Sequence, residues 1–342
     1  MRTPRSFLPD LPTLTARLAS ALNLNGEAKP PLSILERSLP QMMSTFPNET
    51  IVCRLPNGRK QRLFVKYEAG QRHVSFGHRG GVAYEAKVYD RILRRYPGFR
   101  PRRLGAHTDQ KTGETWLILE YVDRCVRVSD ISVKQDIRQP LAMNAAARWI
   151  GRFHAAHEGS DLRAVPSFLK RYDARYYRGW CRRTAEFTRP LHRRFPWLPE
   201  LCALENEWLA LLLPASPTLI HGEYYAKTVL LRNRSIFPLD WESAALAPGE
   251  IDLAALTEGE GWPEKIVSLS ERAYRRARWP EGAPAHFQQT LEAARIYLHF
   301  RWLGERPDWT IREKSFWRYD HLRAAAERLG LLSRLRPAPG PQ

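Results

Sequence analysis

The residues best suited to chemistry lie in one stretch. Leu219-Ile-His-Gly-Glu-Tyr-Tyr-Ala-Lys-Thr-Val-Leu-Leu231 is followed shortly by Phe237-Pro-Leu-Asp-Trp-Glu242. Two apolar runs flank a turn that carries His221, Gly222 and Glu223. A second turn at Asn233 leads to a third apolar run ending in Asp240. The pattern reads as short strands whose ends present Glu223, Thr228 and Asp240 to one place. A carboxylate at the end of each of two neighbouring strands suits phosphoryl transfer. One takes the proton of a hydroxyl, and the other holds Mg²⁺ against nucleotide phosphates. The same spacing fits a β-meander with polar turn residues, and spacing alone does not choose between them.

Other elements must position this stretch. Thr50–Leu55 and Arg62–Tyr67 are β-rich runs joined by Pro56-Asn57-Gly58, a strong turn signal, so they read as an antiparallel hairpin with Lys66 closing its second strand. A Gly-, His- and Arg-bearing loop, Gly70 to Gly81, precedes a helix over 82–93 with Glu85 in its first turn. Trp116–Val122 is a further apolar strand. After it the pattern turns helical: Pro140–His157, with Leu141, Ala145, Trp149, Ile150 and Phe153 on one side, then Leu201–Leu213. Between these two lies a basic, aromatic segment, Phe168–Trp197. Beyond the opening stretch, Ala247–Ala254 is a turn running into a helix, and helices continue through Ala273, Phe287–Leu303 and Phe316–Leu329. The order is α+β and two-lobed, not alternating βαβ units. It divides into a helical extension at 1–37, read as an appendage or cap, a β-rich part at 38–123, a helical part at 124–335 and a Pro-rich tail at 336–342.

Lys66 on a strand, Glu85 on the next helix, a bridging strand, and then the His221 stretch follow the order of parts in protein-kinase-like enzymes. The chain resembles the aminoglycoside phosphotransferase and choline kinase group, whose signature is H-G-D-x-x-x-x-N, an I-D-W-E-type motif and G-P-x-x-x-D-L-A. Here the counterparts are His221-Gly-Glu-Tyr-Tyr-Ala-Lys-Thr228, Leu239-Asp-Trp-Glu242 and Ala247-Pro-Gly-Glu-Ile-Asp-Leu-Ala254. Gly151-Arg-Phe-His154 is similar to the helix that precedes the family's catalytic loop. The resemblance covers roughly residues 40–305. It implies a small β-rich N-lobe, a larger helical C-lobe, ATP and Mg²⁺ as cofactors, and a small-molecule hydroxyl, or a peptide one, as phosphate acceptor.

The resemblance also assigns roles. Lys66 contacts the α/β-phosphates and pairs with Glu85; Glu120 and Val122 offer backbone groups to the adenine. Glu223 is the catalytic base, Asp240 a metal ligand, and His221 and Asp252 scaffold the loop. Two departures stand out: Glu223 replaces Asp, adding a methylene of reach, and Thr228 replaces Asn as second metal ligand. Tyr224 and Tyr225 are placed to re-pack the loop around the longer side chain. Lys227 is a candidate for positive charge near the γ-phosphate. The first hairpin lacks a G-x-G-x-x-G loop, leaving Ser44, Thr45, Asn48 and Thr50 as candidates to cover the phosphates.

Composition sets limits. The 342 residues carry a net charge of +18, spread along the chain with Arg well ahead of Lys. Such charge favours anionic partners, and base bias in the coding sequence produces it equally well. The four cysteines form no C-x-x-C pair and no zinc-ligand spacing, which fits reduced thiols in a cytoplasmic protein. No apolar leader and no membrane-length apolar run is present. The Arg-rich segment Phe168–Trp197 favours a neutral or anionic acceptor over a polycation, whereas Glu258, Glu260 and Glu264 form an acidic cluster that would serve a cation. Two competing readings are an inactive nucleotide-binding pseudokinase, suggested by Glu223 and Thr228, and a nucleic-acid binder, for which no recognition motif is present. Monomer and homodimer are both compatible with the sequence.

Overall fold

The Pro56-Asn57-Gly58 signal makes the turn its residues dictate. Gly58 adopts φ +81°, its N–H donates to the Leu55 carbonyl at 2.9 Å, and the Asn57 side chain accepts from the Arg59 N–H at 3.1 Å. It joins β2 (Asn48–Arg54) to β3 (Lys60–Tyr67) in an antiparallel pair that opposes Asn48 to Lys66. A computed structural model supplies these coordinates and describes residues 8–24, 31–39, 45–70, 75–96, 98–130, 140–159, 166–259 and 261–332. Ser44, Glu260 and the tail at 336–342, all named above, lie outside the described residues.

The chain divides into two compact units, Met1–Cys125 with Phe237–Ser243, and Val126–Ile236 with Ala244–Gln342. The first is built on a five-stranded antiparallel sheet of order β1-β2-β3-β5-β4, completed by β1 (Ser33–Ser38), β4 (Arg103–Thr108) and β5 (Thr115–Glu120). Helix α1 (Leu11–Ala21) starts at Asp10, whose side chain accepts the Thr13 N–H at 2.7 Å. Leu14 and Leu18 are fully buried in one core with Ile51, Leu63, Val65 and Ile118. Each such side chain contributes about 1.5–3 kcal/mol through burial. The N-terminal helix is therefore part of this core and not an appendage, and β1, within the expected extension, is a strand of the sheet. The close seat of α1 on β4 requires Gly105, where a Cβ would lie 2.1 Å from the Ala21 carbonyl oxygen. Helix α2 (Gly81–Arg91) completes the unit, and Trp241 packs edge-on against Phe99 with ring centroids 5.7 Å apart.

In the second unit, helix α3 (Pro140–His157) packs along α8 (Glu264–Arg278). Its buried face is Ala142, Met143, Ala146, Ala147, Ile150, Phe153 and His154; Leu141 is 66% exposed, so the apolar face is rotated from the expected one. Helix α4 (Ala174–Phe187) buries Tyr177, Trp180 and Cys181. The expected helix at 201–213 is two, α5 (Leu198–Ala203) and α6 (Glu205–Leu212). Two small sheets follow. The first sets β11 (Ala245–Pro248) parallel to β7 (Lys170–Arg171) and antiparallel to β8 (Pro217–Ile220). The second sets β9 (Val229–Arg232) antiparallel to β6 (Val126–Arg127). From β9 the chain enters β10 (Ser235–Pro238) through Asn233 and Arg234, whose φ values of 48° and 66° are those of a tight hairpin turn. Helix α7 (Glu250–Thr257) is buried throughout, and α9 (Phe287–Leu303), buried almost all round, contacts α4, α6, α7 and α11 (Trp317–Arg328). A short α10 (Pro307–Thr310) lies between α9 and α11.

Candidate functional site

In the first unit three carboxylates converge on one ammonium. Lys66 Nζ lies 2.8 Å from Glu85, 2.7 Å from Glu242 and 3.2 Å from Asp240. β3 supplies the lysine, α2 supplies Glu85, and the Leu239–Glu242 motif supplies the other two. The Trp241 N–H donates to Glu85 at 3.0 Å, which locks the motif to α2. Arg79 approaches Glu242 at 3.3 Å, and the Gly80 N–H donates to the Glu242 carbonyl at 2.7 Å. Burial alone would drive Lys66 toward neutrality; Glu242, Glu85 and Asp240 outweigh it and hold its pKa well above the ordinary value. Burial raises Glu85, and it raises Glu242 to about 7 against the pull of Lys66.

Asp240 is the exposed member, with 34% of its side chain accessible. Its φ of +63° is left-handed, a conformation that costs a non-glycine residue energy and recurs where a side chain must be aimed. Glu85 and Glu242 are buried on Lys66, so Asp240 is the carboxylate of the three left accessible, a hard oxygen donor of the kind Mg²⁺ takes.

In the second unit the His221 loop is stapled to α7. Asp252 accepts the N–H of His221 at 2.6 Å and of Gly222 at 2.9 Å, and His154 Nε2 lies 3.1 Å from the same carboxylate. Tyr274 in turn meets His154 Nδ1 at 2.9 Å. Burial raises the Asp252 pKa to about 6, opposed by His221 and these N–H donors. Gly222 takes φ +82°, turning the chain so that the Glu223 N–H donates to His221 Nδ1 at 3.2 Å. The His221 ring therefore acts here as a loop acceptor.

Glu223 meets the fully buried Arg301 at 3.3 Å. Arg301 also donates to Glu305 at 2.7 Å and to the Tyr225 hydroxyl at 2.6 Å. Trp302 Nε1 donates to that same hydroxyl at 2.7 Å. Tyr224 is buried, donates to the Ala146 carbonyl at 3.0 Å and stacks on Trp149. Thr228 Oγ1 lies 2.9 Å from the carbonyls of both Glu223 and Tyr225, so its proton is committed to the loop backbone while its lone pairs keep ligand capacity.

The remaining sequence candidates are placed as follows. Glu120 is paired with Arg100 and Arg102, and its N–H donates to the Arg102 carbonyl at 2.9 Å; Val122 is half-buried beyond the end of β5. Lys227 is exposed, with Nζ 5.3 Å from the Tyr225 ring and 5.5 Å from the Trp302 ring. Of the phosphate-covering candidates, Thr45 lies in the β1–β2 connection, while Asn48 and Thr50 sit within β2. Of the expected acidic cluster, Glu258 is engaged by Arg295 at 2.8 Å, His299 at 3.1 Å and His321 at 2.8 Å, and Glu264 is an exposed helix start. The Arg-rich segment is largely a solvated face: Arg175, Arg178, Arg182, Arg189, Arg193 and Arg194 are exposed.

Three site residues had no role in the sequence reading: Glu242, Arg79 and Arg301. Arg301 carried a signal, since an arginine set among Phe300, Trp302 and Leu303 calls for a carboxylate partner if that stretch is buried. Glu242 was visible within its motif, but its convergence on Lys66 is a tertiary fact.

No protein-family model matches the chain, and no curated protein matches it by sequence. Solved structures do. A choline kinase from Streptococcus pneumoniae aligns over 94% of this chain and 98% of its own, with TM-score 0.58 and 13% identity. A choline kinase from Cryptosporidium parvum aligns over 95% and 98%, with TM-score 0.58 and 14% identity. A spectinomycin phosphotransferase in complex with ADP and spectinomycin aligns over 96% and 95%, with TM-score 0.58 and 12% identity. The fold is thus the two-lobed, protein-kinase-like fold of choline kinases and aminoglycoside phosphotransferases, with a small β-rich N-lobe and a larger, mostly helical C-lobe.

Proposed function

We propose that the chain transfers the γ-phosphoryl group of ATP to a hydroxyl of a small molecule, or of a peptide, with Mg²⁺ as cofactor. The observation that carries this reading is the buried Lys66–Glu85 pair meeting Asp240. A lysine fixed by a helix glutamate and set beside an aimed, accessible aspartate is the nucleotide- and metal-handling part of a kinase. Fold neighbours that are a choline kinase and a spectinomycin phosphotransferase support the same class.

Each residue then has a task. Lys66 exchanges part of its carboxylate shell for the α/β-phosphates, and Glu85 keeps it in place. Backbone groups at Glu120 and Val122 receive the adenine. Asp240 is the metal ligand, with Thr228 the second candidate and Lys227 a source of positive charge for the γ-phosphate. Mg²⁺ supplies charge neutralisation of the phosphates. Glu223 accepts the proton as the acceptor O–H breaks, the acceptor oxygen bonds to the γ-phosphorus, and ADP leaves with the electrons of the broken P–O bond. A loose transition state asks little basicity of Glu223, so its Arg301 contact serves to orient it. Asp252 and His221 hold the loop that carries it.

The experiment is transfer of label from γ-labelled ATP to a panel of metabolite hydroxyls. Activity in the wild type that falls in both Glu223→Gln and Asp240→Ala supports the assignment; activity unchanged in both refutes it. A second reading, a nucleotide-binding pseudokinase, draws on the Thr228 hydroxyl being committed to backbone carbonyls. Stabilisation by Mg·ATP with no transfer to any acceptor would favour it.

A further inference from the structure

The second unit holds a cavity of 260 Å³ walled by Trp302, Trp309, Trp317, Lys314, Ser315 and Arg318, among others. At about 30 Å³ per water that is space for roughly nine waters, or one small metabolite. Its wall is tied to the catalytic loop, because Trp302 donates to the hydroxyl of Tyr225, two residues beyond Glu223.

Three tryptophans around a cavity would ordinarily suit a cation, a quaternary ammonium above all. Here the chain's own cation is in that position. The Arg318 guanidinium carbon lies 4.0 Å from the Trp302 ring centroid and 4.2 Å from that of Trp317. Arg301 and Lys227 also flank Trp302, at 5.0 and 5.5 Å. Arg318 is half-buried, yet among the described residues it forms no hydrogen bond and no ion pair; Glu258 and Glu305 act on it only through space. Burial first, and the Arg301 charge with it, draw its pKa down to about 10. Stacking occupies the faces of a guanidinium and leaves its N–H edge to be satisfied. A guanidinium stacked on two rings and without an ion pair among the described residues keeps its donors for a ligand anion.

We propose that this cavity is the acceptor subsite and that it takes a small hydroxylated anion, a carboxylate or a phosphate ester, through the Arg318 N–H edge while excluding quaternary ammonium compounds. The tryptophan faces cover the carbon skeleton of the ligand, and Lys314 adds a second positive charge at the wall. That the ligand is phosphorylated there rests on the phosphotransferase reading; that it binds does not.

The test is calorimetric titration of the full chain, without nucleotide, by glycerate, glycerol 3-phosphate, glycerol and choline. At least one anion should bind tenfold or more tightly than glycerol, and choline should not compete; which anion wins separates carboxylate from phosphate recognition. Arg318→Met should weaken the anion at least tenfold and admit choline to the vacated aromatic gap. Arg318→Lys, which keeps the charge but not the planar fork, should fall between, and thermal melting confirms that each variant is folded. Anions no tighter than glycerol, choline tighter than both anions in the wild type, or an Arg318→Met variant with unchanged anion affinity would each overturn the proposal. Failure here with labelled transfer intact removes only the subsite; anion binding with no transfer to any acceptor removes only the phosphotransferase reading.

Discussion

Replacing Arg301 by Met should be among the most damaging single changes to the second unit. The Arg301 and Glu305 side chains are each 1% exposed and lie 2.7 Å apart, and Glu223, 3.3 Å from Arg301, is 9% exposed. Burial works against the Arg301 charge, and Tyr225, Glu305 and Glu223 outweigh it, holding its pKa well above normal. Met fills the volume of the stem but leaves the Glu305 carboxylate buried without its cation. Breaking a buried pair from one side costs about 3–5 kcal/mol. Tyr225 adds little to this, since Trp302 still donates to its hydroxyl. At about 2–4 °C per kcal/mol for a unit of this size, the melting point should drop by roughly 6–20 °C. Urea unfolding followed by tryptophan fluorescence measures the loss directly. The double variant Arg301→Met/Glu305→Leu removes both charges and should recover most of it, giving a coupling energy of several kcal/mol in the cycle. A single-variant loss below about 1 kcal/mol, or a double variant as unstable as the two singles combined, would refute the claim that this pair is buried and mutually dependent.

Three further outcomes are expected. Glu223→Asp, which restores the residue type of the resembling family, should lower transfer by about 10²-fold, because the loop and Arg301 are set for the longer side chain; equal turnover in steady-state assays would contradict this. Glu242, raised from the usual 4.5 to about 7 by burial, binds its proton more readily folded than unfolded. Its ionisation therefore removes stability as pH rises from about 4.5 to 7, and Asp252, raised to about 6, acts in the same direction between about 4 and 6. Denaturation midpoints across this window should fall less steeply in Glu242→Gln, and an unchanged slope would count against the buried carboxylate. Gly105→Ala should destabilise the first unit by about 1–3 kcal/mol, since the added methyl would meet the Ala21 carbonyl at 2.1 Å, and a neutral result in urea would show that α1 can move away.

The central strands of the first sheet were legible and its edges were not, for one reason. β2, β3 and β5 alternate or run apolar, and turn residues bound β2 and β3. β1, Ser33-Ile-Leu-Glu-Arg-Ser38, and β4, Arg103-Leu-Gly-Ala-His-Thr108, are edge strands with little apolar surface to show. The α3 boundaries agree with the expected Pro140–His157, yet its buried face was displaced: Ile150 and Phe153 are buried as expected, but Ala142, Met143, Ala146 and Ala147 are buried where Leu141 is exposed. Around Glu223, the sequence marked the loop and its two departures. The partners came from far along the chain, as with Arg301, and no local pattern announces a contact of that span. The Arg-rich segment pointed toward an anionic acceptor through residues that prove largely to face solvent; Arg301, which meets Glu223, and Arg318, which stacks on Trp302, lie on α9 and α11 instead.

The first unit is discontinuous in sequence, and this bears on how it can be made. Trp241, which fills space beside Phe99, and Asp240 and Glu242, which neutralise Lys66, belong to Phe237–Ser243, a part of the first unit that residues 126–236 separate in sequence from the rest of it. During synthesis the sheet can form early, but Lys66 and Glu85 stay without their remaining partners until residue 243 has emerged. A fragment ending at Cys125 would carry the hairpin and helix α2 around an aromatic vacancy. The last seven residues of the first unit thus act as a late-arriving strap. Completion of the Lys66 carboxylate cluster is coupled to synthesis of the His221 loop that precedes them, so a ribosome stalled before that loop releases no chain with the cluster assembled.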